Sequence, residues 1–218
     1  MRPSSGVLAA LTGLTFFAAP VAHATGSVSV SGGDAIWGTG GVRCSVGFNV
    51  HSHDAPALLT AGRCGQGASD WYADPGLTQH IATTALVGFP GNDYVLAIYD
   101  QGVSAPSTVN LHDGTFATIT SAGDAAIGQR VTRSGAETGV RTGTVTGLNM
   151  TVNFPEGTVS GLIRTDICAE PGDNGGSLFD GSAALGLTVG IIGDCASGGE
   201  SFYEPVPTVL AAVGATIP

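Results

Sequence analysis

The 218-residue chain contains no lysine. Its seven cationic residues are all arginine and face 17 acidic ones, for a formal net charge of −10. A surface of this sign repels phosphate backbones and anionic headgroups, which argues against nucleic acid or a membrane surface as partner. Aromatic residues make up only 6% and no repeat or low-complexity segment is legible, whereas glycine is abundant at 35 residues. Many tight turns between short strands follow, an all-β composition more than a helical one. No stretch reaches the roughly 20 apolar residues that a membrane helix needs.

What is present begins with an export pattern. Met1-Arg2 carries positive charge, Gly6 to Ala19 is a short apolar run, and Val21-Ala22-His23-Ala24 offers small residues for processing. Residues 1–24 are read as a signal peptide, cleaved after Ala24 to release a secreted, extracellular protein. Losing Arg2 leaves 6 positive against 17 negative charges, a formal −11. The four cysteines of such a chain imply two disulfides, and spacing leaves all three pairings open. With 43% apolar residues the chain closes a sizeable core.

Short apolar or alternating runs recur between Gly, Asn, Asp and Pro clusters. They cover Arg43 to Val50, Leu58 to Thr60, His80 to Val87 and Tyr94 to Tyr99, then Arg130 to Arg133, Thr144 to Phe154, Thr158 to Thr165, Ala183 to Val189 and Ser201 to Val206. Leu148, Met150, Val152 and Phe154 alternate with Asn149, Thr151 and Asn153, which predicts a strand with one wet face. Pro155-Glu156-Gly157 predicts a turn into the next strand. Only the tail reads as helix: Pro207 suits a first helical position, Val209, Leu210 and Val213 share a face, and Gly214 ends it.

Five segments closely resemble the streptogrisins, secreted actinobacterial serine proteases of the chymotrypsin fold and S1 family. They are Ser31 to Ile36, Arg43 to Val50, Asn92 to Tyr94, Thr138-Gly139, and Ile163 to Asp173, in order along the chain from about Val30 to its end. The resemblance implies an all-β architecture of two six-stranded antiparallel barrels, residues 25–112 and 113–218, with a short C-terminal helix and a site in the cleft between them. It pairs Cys44 with Cys64 and Cys168 with Cys195. It also makes Arg133 the ion-pair partner of Asp173 beneath an oxyanion loop formed by Gly172, Asp173 and Asn174.

The departures from that family bear on function. Glu170-Pro171-Gly172-Asp173-Asn174-Gly175-Gly176-Ser177-Leu178 matches the nucleophile turn but holds Asn174 where the family has serine. Leu58 to Cys64 matches the frame of the general base but holds Arg63 in place of histidine. Asp93, in Phe89 to Tyr94, matches the retained triad aspartate, whose role in the family is to orient and stabilise an imidazolium. Arg63 has no lone pair to accept a proton, and the delocalised amide of Asn174 cannot attack a carbonyl, so an Arg63 to Asp93 ion pair is expected instead. Val189 stands where the family has a serine supporting the aspartate, and Ile191, after Gly190, where it has a glycine that keeps the primary pocket open. Streptogrisins carry a long pro-region; here only Thr25 to Ser29 separates the expected cleavage from Val30.

Other features carry blander readings. His51-Ser52-His53-Asp54 supplies zinc-type ligands but lacks an identifiable third one and reads as an exposed hairpin tip, so no metal is expected. Neither His80 nor His112 lies in a catalytic motif. Asn174-Gly175 is a dipeptide able to deamidate, which adds charge without creating a nucleophile. The leading expectation is a monomeric, proteolytically inactive homologue, without cofactor, that binds a peptide or a secreted protease inhibitor. Its competitors are a serine endopeptidase or residual hydrolase with unconventional chemistry, and a disulfide-braced surface scaffold.

Overall fold

The computed structural model describes Met1 and residues 27–218, so the expected signal peptide and its cleavage after Ala24 lie outside the described residues. Strands β1 (Ala35–Gly38), β2 (Val42–Ser45), β3 (Phe48–Ser52), β4 (Ala55–Thr60), β5 (Asp70–Tyr72), β6 (His80–Gly88) and β7 (Tyr94–Tyr99) form the first sheet. Its order is β17-β3-β4-β7-β6-β5-β1-β2, the outermost member β17 (Ala215–Thr216) coming from the far end of the chain. A ribbon of β8 (Thr108–Asn110) and β9 (Phe116–Thr118) bridges to the second half.

The second sheet comprises β10 (Ser121–Ala122), β11 (Arg130–Gly135), β12 (Gly139–Phe154), β13 (Gly157–Thr165), β14 (Ser177–Asp180), β15 (Ala183–Asp194) and β16 (Gly198–Pro205). Its order is β10-β15-β14-β11-β12-β13-β16, and β15 also pairs with β16. Six strands thus close into a ring with β10 added alongside, which removes the exposed edges an open sheet would leave. Both sheets together give the two barrel-like halves expected of a chymotrypsin-type chain. Helix α1 (Val206–Val213) buries Val206, Val209 and Val213, carries Pro207 near its start, and ends at Gly214 in the left-handed conformation with φ +62°.

Alternation along the strands decides which face is buried. In β4, Ala57, Leu58, Leu59 and Thr60 are all buried, because both faces of this strand are covered. In the last part of β12, Asn149, Thr151 and Asn153 face solvent more than Met150, Val152 and Phe154, which pack on the core. Leu58, Leu59, Val95 and Leu96 of the first sheet and Leu187, Val189 and Phe202 of the second belong to one continuous apolar cluster. The two halves therefore share one core, to which β4, β7 and β15 all contribute residues.

Cys44 is bonded to Cys64 and Cys168 to Cys195, the latter pair tying the nucleophile-like turn to the end of β15. In the chain-entropy picture each such link, spanning 20 and 27 residues respectively, stabilises the fold by roughly 3 kcal/mol. The tip of the β3–β4 hairpin is His53-Asp54, both at positive φ. Among the described residues no group of three or more His, Cys, Asp or Glu is arranged to hold a metal ion.

Candidate functional site

Arg63 lies in a single 3-10 turn, Gly62–Gly65, placed by β4 and anchored by the Cys44–Cys64 bond. Asp93 precedes β7, and its side chain is fully buried. The turn approaches Asp93 closely because Gly62 has no side chain: a Cβ there would lie 2.7 Å from the Tyr94 nitrogen and 3.0 Å from Asp93 Oδ1. The Arg63 N–H donates to Asp93 Oδ1 at 2.9 Å and its Nε to Oδ2 at 3.3 Å.

The guanidinium is held on two further sides. Nη2 donates to the carbonyl of Val189 in β15, and Cζ sits 3.9 Å above the centre of the Phe154 ring at the end of β12. A cation over an aromatic face contributes about 0.5–2 kcal/mol, more as water is excluded. Nη1 alone donates to no acceptor among the described residues. Two strands of the second half, β12 and β15, and the segment before β7 of the first thus converge on one arginine.

Burial pushes the Asp93 carboxyl up to about 6, against the opposing pull of the Arg63 N–H, its charge and the Gly62 N–H. Behind it, Glu204 of β16 is 1% exposed and its Oε2 accepts the Asp93 backbone N–H at 3.1 Å. Burial raises Glu204 to about 7, the Asp93 N–H opposes that rise, and the Asp93 charge adds to it. Neither Glu204 nor Phe154 is singled out by sequence reasoning. A glutamate inside the apolar stretch Phe202-Tyr203-Glu204-Pro205-Val206 was the available signal for the first; for the second there was only the end of an alternating strand.

The turn carrying Asn174 is braced from beneath. Arg133 and Asp173 are both fully buried, with Nη1 3.2 Å from Oδ1, and Arg133 Nη2 donates to Thr138 Oγ1. The Nη1 to Oδ1 approach is an ion pair without hydrogen-bond alignment, since Nη1 and Nε of Arg133 find no aligned acceptor. Asp173 is instead satisfied by N–H groups of Glu137 and Thr138 at 3.0 Å each, of Glu170 at 2.9 Å, and by Thr138 Oγ1 at 2.7 Å. Burial alone would raise the Asp173 carboxyl, but the Arg133 charge and these donors outweigh it and hold it below the usual range.

Backbone bonds fix the turn's direction. The Asn174 carbonyl accepts the Ser45 N–H at 2.8 Å, the Gly172 carbonyl accepts the Ser45 hydroxyl at 2.8 Å, and the Asp173 carbonyl accepts the Gly176 N–H at 2.9 Å. A trans peptide puts N–H opposite C=O, so the Asn174 N–H points the other way from the Asp173 carbonyl. Asp173, Gly175 and Gly176 donate to Glu170, Thr188 and Asp173 respectively, whereas the N–H groups of Gly172 and Asn174 have no acceptor among the described residues. Gly172 is held at φ +108°, where a Cβ would also meet Arg43 Nη1 at 2.8 Å, so this position requires glycine. Asn174 Oδ1 is buried without a donor.

Arg63, Phe154, Pro171, Asn174 and Ile191 together line a cavity of about 270 Å³. Ile191 therefore forms part of its wall, while Val189 and Gly190 behind it are buried. From Val189 onward β15 pairs with β16 alone, since β14 accompanies it only as far as Leu187. Among the described residues no serine, cysteine or histidine lines this cavity. Ser177, the nearest serine in sequence to Asn174, is fully buried with its hydroxyl bonded to the Gly47 carbonyl at 2.5 Å. His80 sits elsewhere, on the first sheet, between Asp100 at 2.6 Å and Asp70 at 3.3 Å.

No protein-family model matches the chain. It is 52% identical over 189 residues to streptogrisin-D of Streptomyces griseus, covering 86% of this chain but 48% of that protein. It is 52% identical over 174 residues to serine protease 2 of Streptomyces fradiae, covering 79% of this chain and all of that one. The chain thus spans about half the length of the first relative and the whole of the second. Among solved structures, a glutamic-acid-specific serine protease described as using a histidine triad in substrate binding superposes with a TM-score of 0.83 at 40% identity, covering 87% of this chain and 100% of that one.

Proposed function

Since the chain belongs to the streptogrisin family of actinobacterial serine proteases, we propose that it is an exported member of that family which has lost proteolysis and acts by binding a peptide or protein segment in its cleft. One observation carries this: where the chemistry needs a hydroxyl and an imidazole, the cleft holds the Asn174 amide and the Arg63 guanidinium, the latter locked to Asp93 and to the Val189 carbonyl. Arginine stays protonated and cannot take up a proton from an attacking group. An amide nitrogen whose lone pair is delocalised is no nucleophile. In a comparable triad, losing nucleophile or base costs about a millionfold in turnover.

The remaining machinery supports binding. The turn that receives a carbonyl oxygen in this family keeps two unused N–H donors at Gly172 and Asn174 over the buried Arg133 to Asp173 brace. Beyond the Val189 carbonyl, which Arg63 occupies, the strand edge from Gly190 to Asp194 is left unpaired by β14 and offers backbone groups to a bound segment. Purified protein incubated with casein tests the loss of proteolysis, with Asp93→Asn as control. Release of fragments at no more than the control's rate is expected; turnover at the rate of an ordinary protease that falls with Asp93→Asn would overturn it.

A further inference from the structure

We infer that the cleft is a receptor for the C-terminal carboxylate of a peptide ending in a small residue, with Arg63, Gly172 and Asn174 as its contacts. This deepens the proposal that the cleft binds without cutting, and rests on it. The residues lining the cavity carry two unused donors and one unused acceptor. The donors are Arg63 Nη1 and the Asn174 N–H, and the acceptor is Asn174 Oδ1, buried without a partner; Gly172, which follows the lining Pro171, adds a further N–H with no acceptor among the described residues.

A chain-terminal residue fits that inventory. Its carboxylate offers two oxygens for charge-assisted hydrogen bonds from a guanidinium and backbone amides, and its own N–H lies two bonds away to satisfy an acceptor. A through-running peptide fits less well, because the Arg63 guanidinium already occupies the Val189 carbonyl where a passing strand would form its first backbone bond on this edge. Ile191 narrows the same cavity, which limits the terminal side chain to a small one.

Electrostatics make the idea discriminating. The chain as a whole is acidic at a formal −10, so a long-range effect favours a neutral peptide over a negatively charged one. A preference for the acid must then come from the local donors. Charge-assisted bonds to a guanidinium contribute enough to give on the order of tenfold or more in affinity over a neutral isostere.

The test is calorimetric titration of the purified protein at low salt with acetyl-Ala-Ala-Pro-Ala bearing a free carboxylate, and with the same peptide ending in a carboxamide. Mass spectrometry of each sample follows the titration. The acid is expected to bind about tenfold tighter than the amide, to lose that preference in Arg63→Gln and at high salt, and to be recovered intact. The acid-to-amide comparison on the unaltered protein needs no variant, so a misfolded Arg63→Gln leaves the result decisive. Intact peptides that bind equally, or not at all at millimolar concentration, overturn the carboxylate receptor while leaving the loss of proteolysis standing. A cleaved peptide overturns both. A peptide ending in Phe that binds as tightly as the one ending in Ala overturns the size limit set by Ile191.

Discussion

The backbone N–H of Asp93 donates to Glu204 Oε2 at 3.1 Å, which sets a second buried carboxyl group against the backbone of the residue whose own carboxyl meets Arg63. Burial raises both, Asp93 to about 6 and Glu204 to about 7. Each holds its proton in the folded protein at a pH where the unfolded chain has released it. Between about pH 4 and pH 7 the folded state therefore binds more protons, and stability falls as pH rises through that window. His80, raised chiefly by Asp100, adds stability below its unfolded value that is lost as pH climbs past its folded one, in the same direction.

Thermal unfolding followed by circular dichroism should accordingly give a higher Tm at pH 5 than at pH 8. Glu204→Gln, which keeps an acceptor for the Asp93 N–H and removes one of the two acids, is expected to stabilise the protein at pH 8 by on the order of 2 kcal/mol and to flatten the pH dependence. A Tm that rises from pH 5 to pH 8 contradicts this account of the pair.

The brace beneath the Asn174 turn gives a prediction about stability. Removing Arg133 leaves Asp173 buried without its counter-charge, and the N–H donors from Glu137, Thr138 and Glu170 cannot replace a full positive charge. Arg133→Met should cost about 3–5 kcal/mol in urea unfolding. A loss below about 1 kcal/mol, the size of a surface pair, would mean that the brace is not energetically important.

Asn174-Gly175 reads in the sequence as a deamidation site, and the fold argues against it. The Gly175 nitrogen must reach the Asn174 side-chain carbon to close the cyclic intermediate, but its N–H is bonded to the Thr188 carbonyl at 2.6 Å, and the residue is fixed at φ +88°. Native protein held at pH 8 should retain the Asn174 amide far longer than the reduced, denatured chain, as read by peptide mass spectrometry. Equal rates in both samples would show that this turn opens freely.

How much of this was visible in the residues varies from element to element. Alternation over Leu148 to Phe154, the turn expected at Pro155-Glu156-Gly157 and the helix closed by Gly214 are local patterns, and they reappear as β12, its hairpin to β13 with Gly157 already the first residue of that strand, and α1. The run Arg43 to Val50 looks continuous in sequence but divides into β2 and β3, because Gly47 passes where a Cβ would lie 2.7 Å from the Gly175 carbonyl and 2.9 Å from that of Leu59. Such crowding comes from distant segments, which no local pattern records. Pairing of β17 with β3 is equally non-local. At the site, Arg63, Asp93 and Asn174 announce themselves through motifs, whereas Glu204 and Phe154 join only because β16 and β12 curve to the same seam.

Restoring the missing groups probes whether the cleft is otherwise competent. Arg63→His with Asn174→Ser supplies a base and a nucleophile beside Asp93, and adding Ile191→Gly opens the cavity wall. Hydrolysis of a chromogenic peptide is expected only in the triple variant, on the order of a thousandfold above the unaltered protein, because Val189 still gives Asp93 no hydroxyl. Full activity in the double variant would show that Ile191 does not obstruct the cleft.

The most direct measurement is the mass of the intact purified protein after exposure to a fluorophosphonate, which bonds covalently to an activated serine. With no nucleophile among the residues lining the cleft and Ser177 sealed against the Gly47 carbonyl, the mass should remain that of the unlabelled chain. One probe per chain, on Ser177 or any other serine, would contradict the loss of covalent chemistry from which the binding function is argued.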